Sequence, residues 1–196
     1  MKRFFWAAVK ASRFIGSRVS SMAFPHTNII GFPFKEYCVN SYRFREDCTY
    51  DNIRWGIHLA EDCNIAAGTP VKTIGRGKVV YSAMHLGSAE KRNWGGIVII
   101  AHKNPKTIKV FFSLYGHLGT LQVRKGDLVE LNQTIGTIGK ALSPENGWWK
   151  DAHLHLALYT GPWLGKVLPG YFREDQKLTK LDWWHEPTSF IRNYNK

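Results

Sequence analysis

Short runs of β-branched and aromatic residues, separated by Gly, Pro and Asn, make up most of the chain after Phe24. Few of these runs repeat apolar residues at helical spacing, whereas β-branched and alternating runs are typical of strands. We therefore predict an all-β fold built on an antiparallel sheet. The strongest predicted strands are residues 77–83, 96–102, 108–115 and 153–159, and the weaker ones are residues 128–131 and 134–138.

Turn-forming residues separate several of these predicted strands. Asn104-Pro105 lies between the second and third strands, and Lys125-Gly126-Asp127 precedes the strand at residue 128. Both sequences favour tight turns, which suit antiparallel neighbours. The chain contains no repeat of fixed period, so solenoid and propeller folds are excluded.

The size of the chain allows one substantial domain. It has 196 residues, of which 44% are hydrophobic and 21% charged, a globular composition. Every apolar run ends before the roughly 18 to 20 residues of a membrane-spanning helix. We predict a basic extension over residues 1–33 and one folded domain over residues 34–196.

Positive charge is the main compositional bias. The 27 basic and 15 acidic residues give a net charge of +12, and residues 1–35 hold six basic side chains and no acidic one. This excess favours a polyanionic partner, either nucleic acid, anionic lipid or an acidic cell-wall polymer. Residues 1–23 form a poor secretory signal. Their spacing permits a basic amphipathic helix that lies on a membrane surface or acts as a targeting signal. The alternative is an irregular soluble N-terminal tail.

Histidine and aspartate spacings point to a metal site. His58 and Asp62 are four residues apart, and His153 and His155 are two apart. In an extended chain such even spacings place both members of a pair on one face. Two neutral imidazoles and one carboxylate suit Zn²⁺ with a fourth position open to water, and the surplus His could handle protons. Glu61, at an odd offset from His58, is the weaker ligand candidate.

A fifth candidate residue lies at the end of a predicted strand. His117 follows an apolar run, and Tyr115, two residues earlier, is predicted to share its face. A His at a strand end can reach into a groove, although any single His is more often structural.

Motifs of serine hydrolases, P-loop proteins and HExxH proteases are missing from the chain.

These motifs together resemble the lysostaphin/LytM-type zinc peptidases of family M23. The resemblance is carried by His58-x3-Asp62, then GTPV, then Tyr115-Gly116-His117-Leu118, and then His153-Leu154-His155, in that order and spacing. It extends from about Phe34 to Pro187. Two positions depart from the family pattern. Ala60, two residues after His58, stands where Gly is usual. The loop before His153-Leu154-His155 reads GWWKDAHLH, where a stretch of small residues is common.

The resemblance implies a fold, a cofactor and a reaction. The expected fold is a lysostaphin/LytM-like (duplicated hybrid motif) domain whose antiparallel sheet floors a groove. His58, Asp62 and His155 would hold Zn²⁺, while His117 and His153 would orient and deprotonate the attacking water or stabilise the oxyanion. The family cleaves cross-links or stem peptides of bacterial peptidoglycan. A cell-envelope location, periplasmic or secreted, and a monomer are therefore expected.

Aromatic residues near these motifs are candidates for substrate binding. Indoles and phenols in a cleft can stack on sugar or peptide, but packed indoles also anchor loops and a tyrosine near His58 can belong to the core. The candidates are Tyr50, Trp94, Tyr115, Trp148 and Trp149.

Two other functions remain open from the sequence. A non-catalytic relative of the same fold could bind peptidoglycan or activate another hydrolase, although such relatives usually lose ligands. A basic nucleic-acid-binding β-domain would fit the charge but leaves the His and Asp spacing unexplained, so no specific nucleic-acid partner is expected. Cys38 and Cys48 could pair or remain separate thiols, and Cys63 is expected to face away from the metal ligands.

Overall fold

The computed structural model describes residues 24–175 and 179–196. The amphipathic helix considered for residues 1–23 lies outside the described residues. Within the described part of the chain, no helix is both long and apolar enough to cross a membrane.

The predicted all-β architecture is confirmed. The described strands are β1 (Asp47–Tyr50), β2 (Ile53–His58), β3 (Glu61–Asn64), β4 (Pro70–Lys72), β5 (Gly77–His85), β6 (Gly95–Lys103), β7 (Val110–Leu121), β8 (Leu128–Val129), β9 (Thr134–Ile138), β10 (His153–Tyr159), β11 (Tyr171–Phe172) and β12 (Trp184–His185). A 3-10 helix (Leu181–Trp183) and helix α1 (Pro187–Tyr194) complete the chain. All six predicted strands are present, but the third begins later, at Val110, because residues 104–108 form the turn that Asn104-Pro105 predicts.

The large sheet has the order β12-β10-β7-β6-β5-β8, with β3 paired to β10 and with β9 paired to both β4 and β7. All of these pairings are antiparallel. Every residue of β6 is buried, because side chains cover the sheet on both faces. Two hydrophobic clusters result, one on each side.

The two faces of the large sheet have different roles. The face that we call the core face carries Val98, Ile100, Tyr115, Leu154 and Leu156. The opposite face, which we call the site face, carries Ile97, Ile99, Leu114, Ala157 and Tyr159. Period-two alternation along β6 and β10 produces this division, because successive side chains in a strand point to opposite sides.

A second, three-stranded sheet has the order β1-β2-β11. Its hairpin turns through Asp51 and Asn52, both of which have positive φ, as in a two-residue type I′ turn. In β11, Tyr171 is the register partner of His58 at the end of β2. The small sheet therefore delivers His58 and its neighbours to the edge of the large one.

Both described ends of the chain pack on the large sheet. His26 bridges to Lys103 and Ile30 bridges to Gly75, and the Ile30 side chain is buried. At the other end, Ile191 of α1 is buried in the core-face cluster. The division of the chain at residue 33 stays a prediction.

Candidate active site

Three strands bring His58, Asp62 and His155 together. Asp62 on β3 is the register partner of His155 on β10, so neighbouring strands of the large sheet supply two of the groups. His58 ends β2 in the small sheet, and the chain crosses between the sheets at residues 59–60. Residues 58–62 are therefore not one extended run, as their spacing predicts, and the same convergence arises because the chain changes sheets.

The side-chain atoms of these residues lie close enough to share one ion. His155 Nδ1 is 3.0 Å from Asp62 Oδ1, and His58 Nε2 is 3.4 Å from the same oxygen. His58 Nε2 and His155 Nδ1 are 3.1 Å apart. One donor atom from each side chain lies within 4.8 Å of the others, a spacing that suits a single metal ion.

The hydrogen bonding around the triad fits a metal. His58 Nδ1 lies 3.1 Å from the Arg43 carbonyl oxygen, which can only accept, so Nδ1 carries the proton and Nε2 is left with a lone pair. Asp62 Oδ1 is buried without a hydrogen-bond partner among the described residues. Lone pairs on two imidazoles and an unsatisfied carboxylate oxygen form the donor set that zinc prefers.

Electrostatics keep Asp62 and His155 in protonation states that can bind a metal. Burial raises the pKa of Asp62, but His58 and His155 outweigh burial and hold that pKa well below its ordinary value. Burial lowers the pKa of His155 to about 4 despite the neighbouring carboxylate. At neutral pH, Asp62 is therefore anionic and His155 neutral.

The neighbours of Asp62 in β3 face away from the triad, as expected. Glu61 Oε2 accepts hydrogen bonds from the Tyr37 hydroxyl and from both the backbone N–H and the hydroxyl of Thr188. Cys63 is buried in the core-face cluster. Glu61 therefore connects the start of α1 to β3 and is not oriented toward the triad.

His117 and His153 lie beside the triad with similar hydrogen bonding. His117 Nδ1 donates to the Asn146 carbonyl at 3.1 Å, and His153 Nδ1 donates to the Asp151 carbonyl at 2.9 Å. In the neutral tautomer that this bonding favours, the lone pair of each ring lies at Nε2. The two rings have centroids 4.5 Å apart, and His153 Nε2 lies 3.9 Å from Asp62 Oδ2.

A β-bulge sets the direction of His117. The register between β6 and β7 shifts between Gly96 and Val98, opposite Leu118 and Tyr115, and His117 has a φ of 64°. Tyr115 and Leu118 consequently share the core face, while His117 contacts Trp94 and His155. The prediction that Tyr115 and His117 share a face is wrong, because the extra residue of the bulge interrupts the alternation.

Burial keeps His117 neutral. Burial, with His153 and His155 close by, lowers the pKa of His117 well below its ordinary value. The ring is therefore neutral at pH 7, and its Nε2 can accept a proton.

Two cavities flank the histidines. The larger, about 290 Å³, is lined by Trp55, Arg92, Asn93, Trp94, His117, Trp149, His155, Pro169, Gly170, Tyr171 and Arg173. The smaller, about 110 Å³, is lined by Ser41, Tyr42, Tyr50, Asp62, Trp149, Lys150, Asp151, His153 and Tyr171. Trp149 and Tyr171 border both cavities, so the two form halves of a groove that passes the triad.

More than half of the chain matches one family model. The model of peptidase family M23 matches residues 56–165, which contain all five of the site residues His58, Asp62, His117, His153 and His155.

This chain belongs to peptidase family M23.

Known proteins share the M23 fold or parts of its sequence. LytU aligns with 81% of this chain and 88% of its own at 22% identity, with a TM-score of 0.53. A zinc-containing peptidase from Vibrio cholerae aligns with 67% of this chain and 37% of its own at 24% identity, with a TM-score of 0.52. These two likenesses confirm the fold.

A curated sequence relative covers less of the M23 domain. The uncharacterized lipoprotein YgeR of Escherichia coli (strain K12) is 32% identical over 78 residues, which are 40% of this chain and 27% of that protein. The alignment therefore spans about a quarter of the length of this relative.

Of the five residues predicted to bind substrate, three line the cavities of the groove and two do not. Trp94 and Trp149 line the larger cavity, and Tyr50 and Trp149 line the smaller one. Tyr115 does not: it is fully buried on the core face, where its hydroxyl accepts a hydrogen bond from the Ile74 N–H. Trp148 borders neither cavity. Tyr115 is a core residue, so its assignment to substrate binding is wrong.

The cysteines are separate thiols in this structure. Cys38 is exposed, and Cys48 and Cys63 are buried, with none in a disulfide. The Cys38 N–H donates to Cys63 Sγ at 3.5 Å. Cys38 and Cys48 are therefore separate thiols and do not form a disulfide with each other.

Several residues of the groove are not predicted by the sequence motifs. Trp55, Arg92, Tyr171 and Arg173 line the larger cavity, and Tyr42 lines the smaller one. Trp55 and Tyr171 belong to the small sheet, whose short strands were not predicted. The alternation of apolar Trp55 and Ile57, just before His58, is the local signal that could have indicated strand β2.

Proposed function

We propose that this M23 protein is a zinc-dependent endopeptidase that hydrolyses peptide bonds in bacterial peptidoglycan, either in a cross-bridge or in a stem peptide. The observation that carries the proposal is the convergence of His58 Nε2, Asp62 Oδ1 and His155 Nδ1 beside two further imidazoles with free Nε2 atoms. Family membership supports a peptidase, and retention of all five positions favours catalysis over a binding role alone.

The roles of the residues follow from their positions. His58, Asp62 and His155 would hold Zn²⁺, and the chemistry that zinc supplies when bound is acidification of water and polarisation of the scissile carbonyl. His117 and His153 both lie beside the triad with Nδ1 bound to a backbone carbonyl, so the Nε2 atom of either can take the proton from the attacking water. The same protonated imidazole then passes the proton to the leaving amine as the C–N bond breaks.

The groove supports an extended peptide substrate. It continues past the triad on both sides, and Trp94, Trp149 and Tyr171 provide aromatic walls. An aromatic wall can bind the apolar faces of sugar rings and peptides. The net charge of +12 favours approach to an anionic polymer.

A cell-envelope location follows from the proposed substrate. Peptidoglycan lies outside the cytoplasmic membrane, and the relative YgeR is named a lipoprotein. Membrane-surface contact through residues 1–23 and a monomeric state belong to the same proposal.

The test combines metal content with digestion. Protein purified without chelator should contain about one zinc per chain and should release new amino groups from purified peptidoglycan, and His155→Ala should lose both properties. Mass spectrometry of the muropeptides identifies the bond. Full zinc occupancy without release of amino groups would favour a non-catalytic relative, whereas a salt-sensitive DNA gel shift with neither zinc nor hydrolysis would favour nucleic-acid binding.

A further inference from the structure

Two of the three cysteines are in contact at strand β3. The Cys38 N–H donates to Cys63 Sγ at 3.5 Å, and the Cys38 thiol lies within hydrogen-bonding range of the Cys63 thiol. Adding one N–Cα bond of about 1.46 Å places the Cys38 Cα no more than about 5 Å from that sulfur. Two thiols in contact need only a change of side-chain torsion to reach the S–S distance of about 2.05 Å in a disulfide. The pair is therefore positioned for oxidation.

The two sulfur atoms differ in access to solvent, which sets an order of reaction. Cys38 is exposed, whereas Cys63 is buried in the core-face cluster. A small oxidant can therefore reach Cys38, while Cys63 can react only with a sulfur that is already its neighbour. An exposed thiol next to a second cysteine is the arrangement in which the first sulfur bonds an external group and the second displaces it.

Cys48, the partner that the sequence left open for Cys38, lies elsewhere. It belongs to β1 of the small sheet, where it is buried, and its thiol donates to the Glu46 carbonyl at 3.6 Å. The cysteine that contacts Cys38 in the structure is Cys63.

The segment around the exposed cysteine, residues 37–43, packs against β3, and we call it the strap. The Asn40 side chain accepts a hydrogen bond from the Asn64 N–H at 2.7 Å and donates one to the Asn64 carbonyl at 3.2 Å. The Asp62 N–H donates to the Tyr42 carbonyl at 2.9 Å. The strap is thus held to β3 by hydrogen bonds on the far side of the cysteine pair.

The strap also positions two of the proposed metal ligands. Its Tyr42 carbonyl accepts from the backbone of Asp62, and its Arg43 carbonyl accepts from His58 Nδ1 at 3.1 Å. Displacement of the strap would remove both acceptors. A covalent bond between the strap and β3 would therefore stabilise the arrangement of the triad.

We propose that Cys38 and Cys63 are an oxidation site and form a disulfide that fixes the strap to β3. The oxidant is a low-molecular-weight disulfide, such as glutathione disulfide. Cys38 Sγ attacks one sulfur of this molecule, breaks its S–S bond and releases one small thiol. Cys63 Sγ then attacks the Cys38 sulfur of the mixed disulfide and releases the second small thiol. The two cysteines lose two electrons to the small disulfide, and their two thiol protons end on the two small thiols.

The oxidation site goes beyond the proposed peptidase activity and does not depend on it. Disulfides form and persist in oxidising compartments, so a cell-envelope location would favour the oxidised form. Reduction would release the strap from β3 and return the two separate thiols of the present structure.

Disulfide mapping of the purified full chain tests the site. Reduced protein is incubated with excess glutathione disulfide, unfolded with N-ethylmaleimide to block the remaining thiols, digested at low pH to prevent exchange, and mapped by mass spectrometry. We expect a linked Cys38–Cys63 peptide in most chains, with Cys48 blocked by maleimide. A linked Cys38–Cys48 peptide would overturn the proposal, and so would a Cys38 that stays free or stays as the mixed disulfide with glutathione.

Serine variants assign the roles of the sulfur atoms. Cys63→Ser should stop the reaction at the mixed disulfide of Cys38 with glutathione, because the displacing sulfur is gone. Cys48→Ser is the matched control, since Cys48 is also buried but lies in the small sheet, and it should form the same linked peptide as wild type. Loss of that peptide in Cys48→Ser would contradict the assignment. The wild-type map decides the question even if Cys63→Ser fails to fold.

Thermal unfolding measures whether the bond holds the strap in its native position. Cys38 and Cys63 are 25 positions apart, so an unstrained bond removes chain entropy from the unfolded state. We expect the Tm of oxidised wild type to exceed that of reduced wild type by roughly 5 to 10 °C, and Cys38→Ser to show no difference between the two conditions. Equal Tm values for oxidised and reduced wild type would overturn the fixing of the strap. Absence of peptidoglycan hydrolysis would count against the peptidase and leave the mapped bond unaffected.

Discussion

Asp62 on β3 and His155 on β10 are cross-strand partners whose Oδ1 and Nδ1 atoms lie 3.0 Å apart. The backbone ladder of the large sheet therefore fixes the distance between two of the three proposed metal ligands. Only His58 comes from another sheet, so the metal would join the small sheet to the large one.

Replacing Asp62 should separate metal binding from folding. Asp62→Asn removes the anionic ligand, so we expect zinc content to fall at least about tenfold and the Tm to become insensitive to chelator, whereas chelator should lower the Tm of wild type. Glu61→Gln is the control, since Glu61 faces Tyr37 and Thr188, and it should keep its zinc. Full zinc occupancy in Asp62→Asn, measured by plasma mass spectrometry, would contradict the assignment.

Replacing His117 should affect the rate without affecting metal content. His117 lies beside the triad but outside it, so His117→Ala should retain zinc while kcat on a soluble muropeptide falls about a hundredfold to ten-thousandfold. His155→Ala should instead lose the metal. If His117→Ala lost zinc to the same extent as His155→Ala, the division between ligands and proton acceptors would be wrong.

The groove wall near Trp149 depends on a glycine. Gly147 has a φ of 81°, and a Cβ there would lie 2.1 Å from the Asn93 carbonyl oxygen. Gly147→Ala should lower the free energy of unfolding by about 3 to 4 kcal/mol through this backbone clash and left-handed strain. Gly68 has the same φ with nothing within 4 Å of a Cβ, so Gly68→Ala should cost only about 1 kcal/mol. Urea denaturation measures both, and equal losses would refute the steric explanation.

His102 should make the stability of the protein depend on pH. It is fully buried between the Arg76 carbonyl and the Ser113 hydroxyl, and burial lowers its pKa to about 4. The unfolded chain, with an ordinary His pKa of ~6.5, binds this proton more readily. Stability from this group is therefore full above pH ~6.5 and declines by up to about 3 kcal/mol as the pH falls to ~4.

Denaturation of wild type and His102→Asn at pH 7 and pH 4.5 checks this linkage. Asn keeps a donor for the Arg76 carbonyl but has no proton to gain, so the variant should lose less stability on acidification. An identical loss in both proteins would assign the pH dependence to other groups.

The sequence predicted the site better where the chain is regular than where it is not. His153 and His155 lie on an uninterrupted strand, so period-two alternation correctly places both on one face. His117 lies at a bulge, where one extra residue reverses the alternation, and Tyr115 was consequently misplaced. Local pattern contains no signal for a bulge, because the pairing strand determines it.

The cavity wall formed by Trp55, Arg92 and Tyr171 could not be predicted from the sequence for a related reason. Arg92 pairs with Asp51, 41 positions away, and Trp55 and Tyr171 approach across strands that are only a few residues long. Such short strands in a segment without clear alternation give little periodic signal. Only the packing of the small sheet against the loop of Trp149 brings these side chains together.

The bulge at His117 also limits how this domain can be redesigned. Removing one residue from the bulge would make β7 a regular strand with an uninterrupted hydrogen-bond register. Tyr115 and Leu118 would still share the core face, so the domain would be expected to fold. The imidazole of His117, however, would be lost from the groove. Selection for thermal stability alone would thus favour variants without His117 in the groove, so engineering of this domain must preserve the bulge.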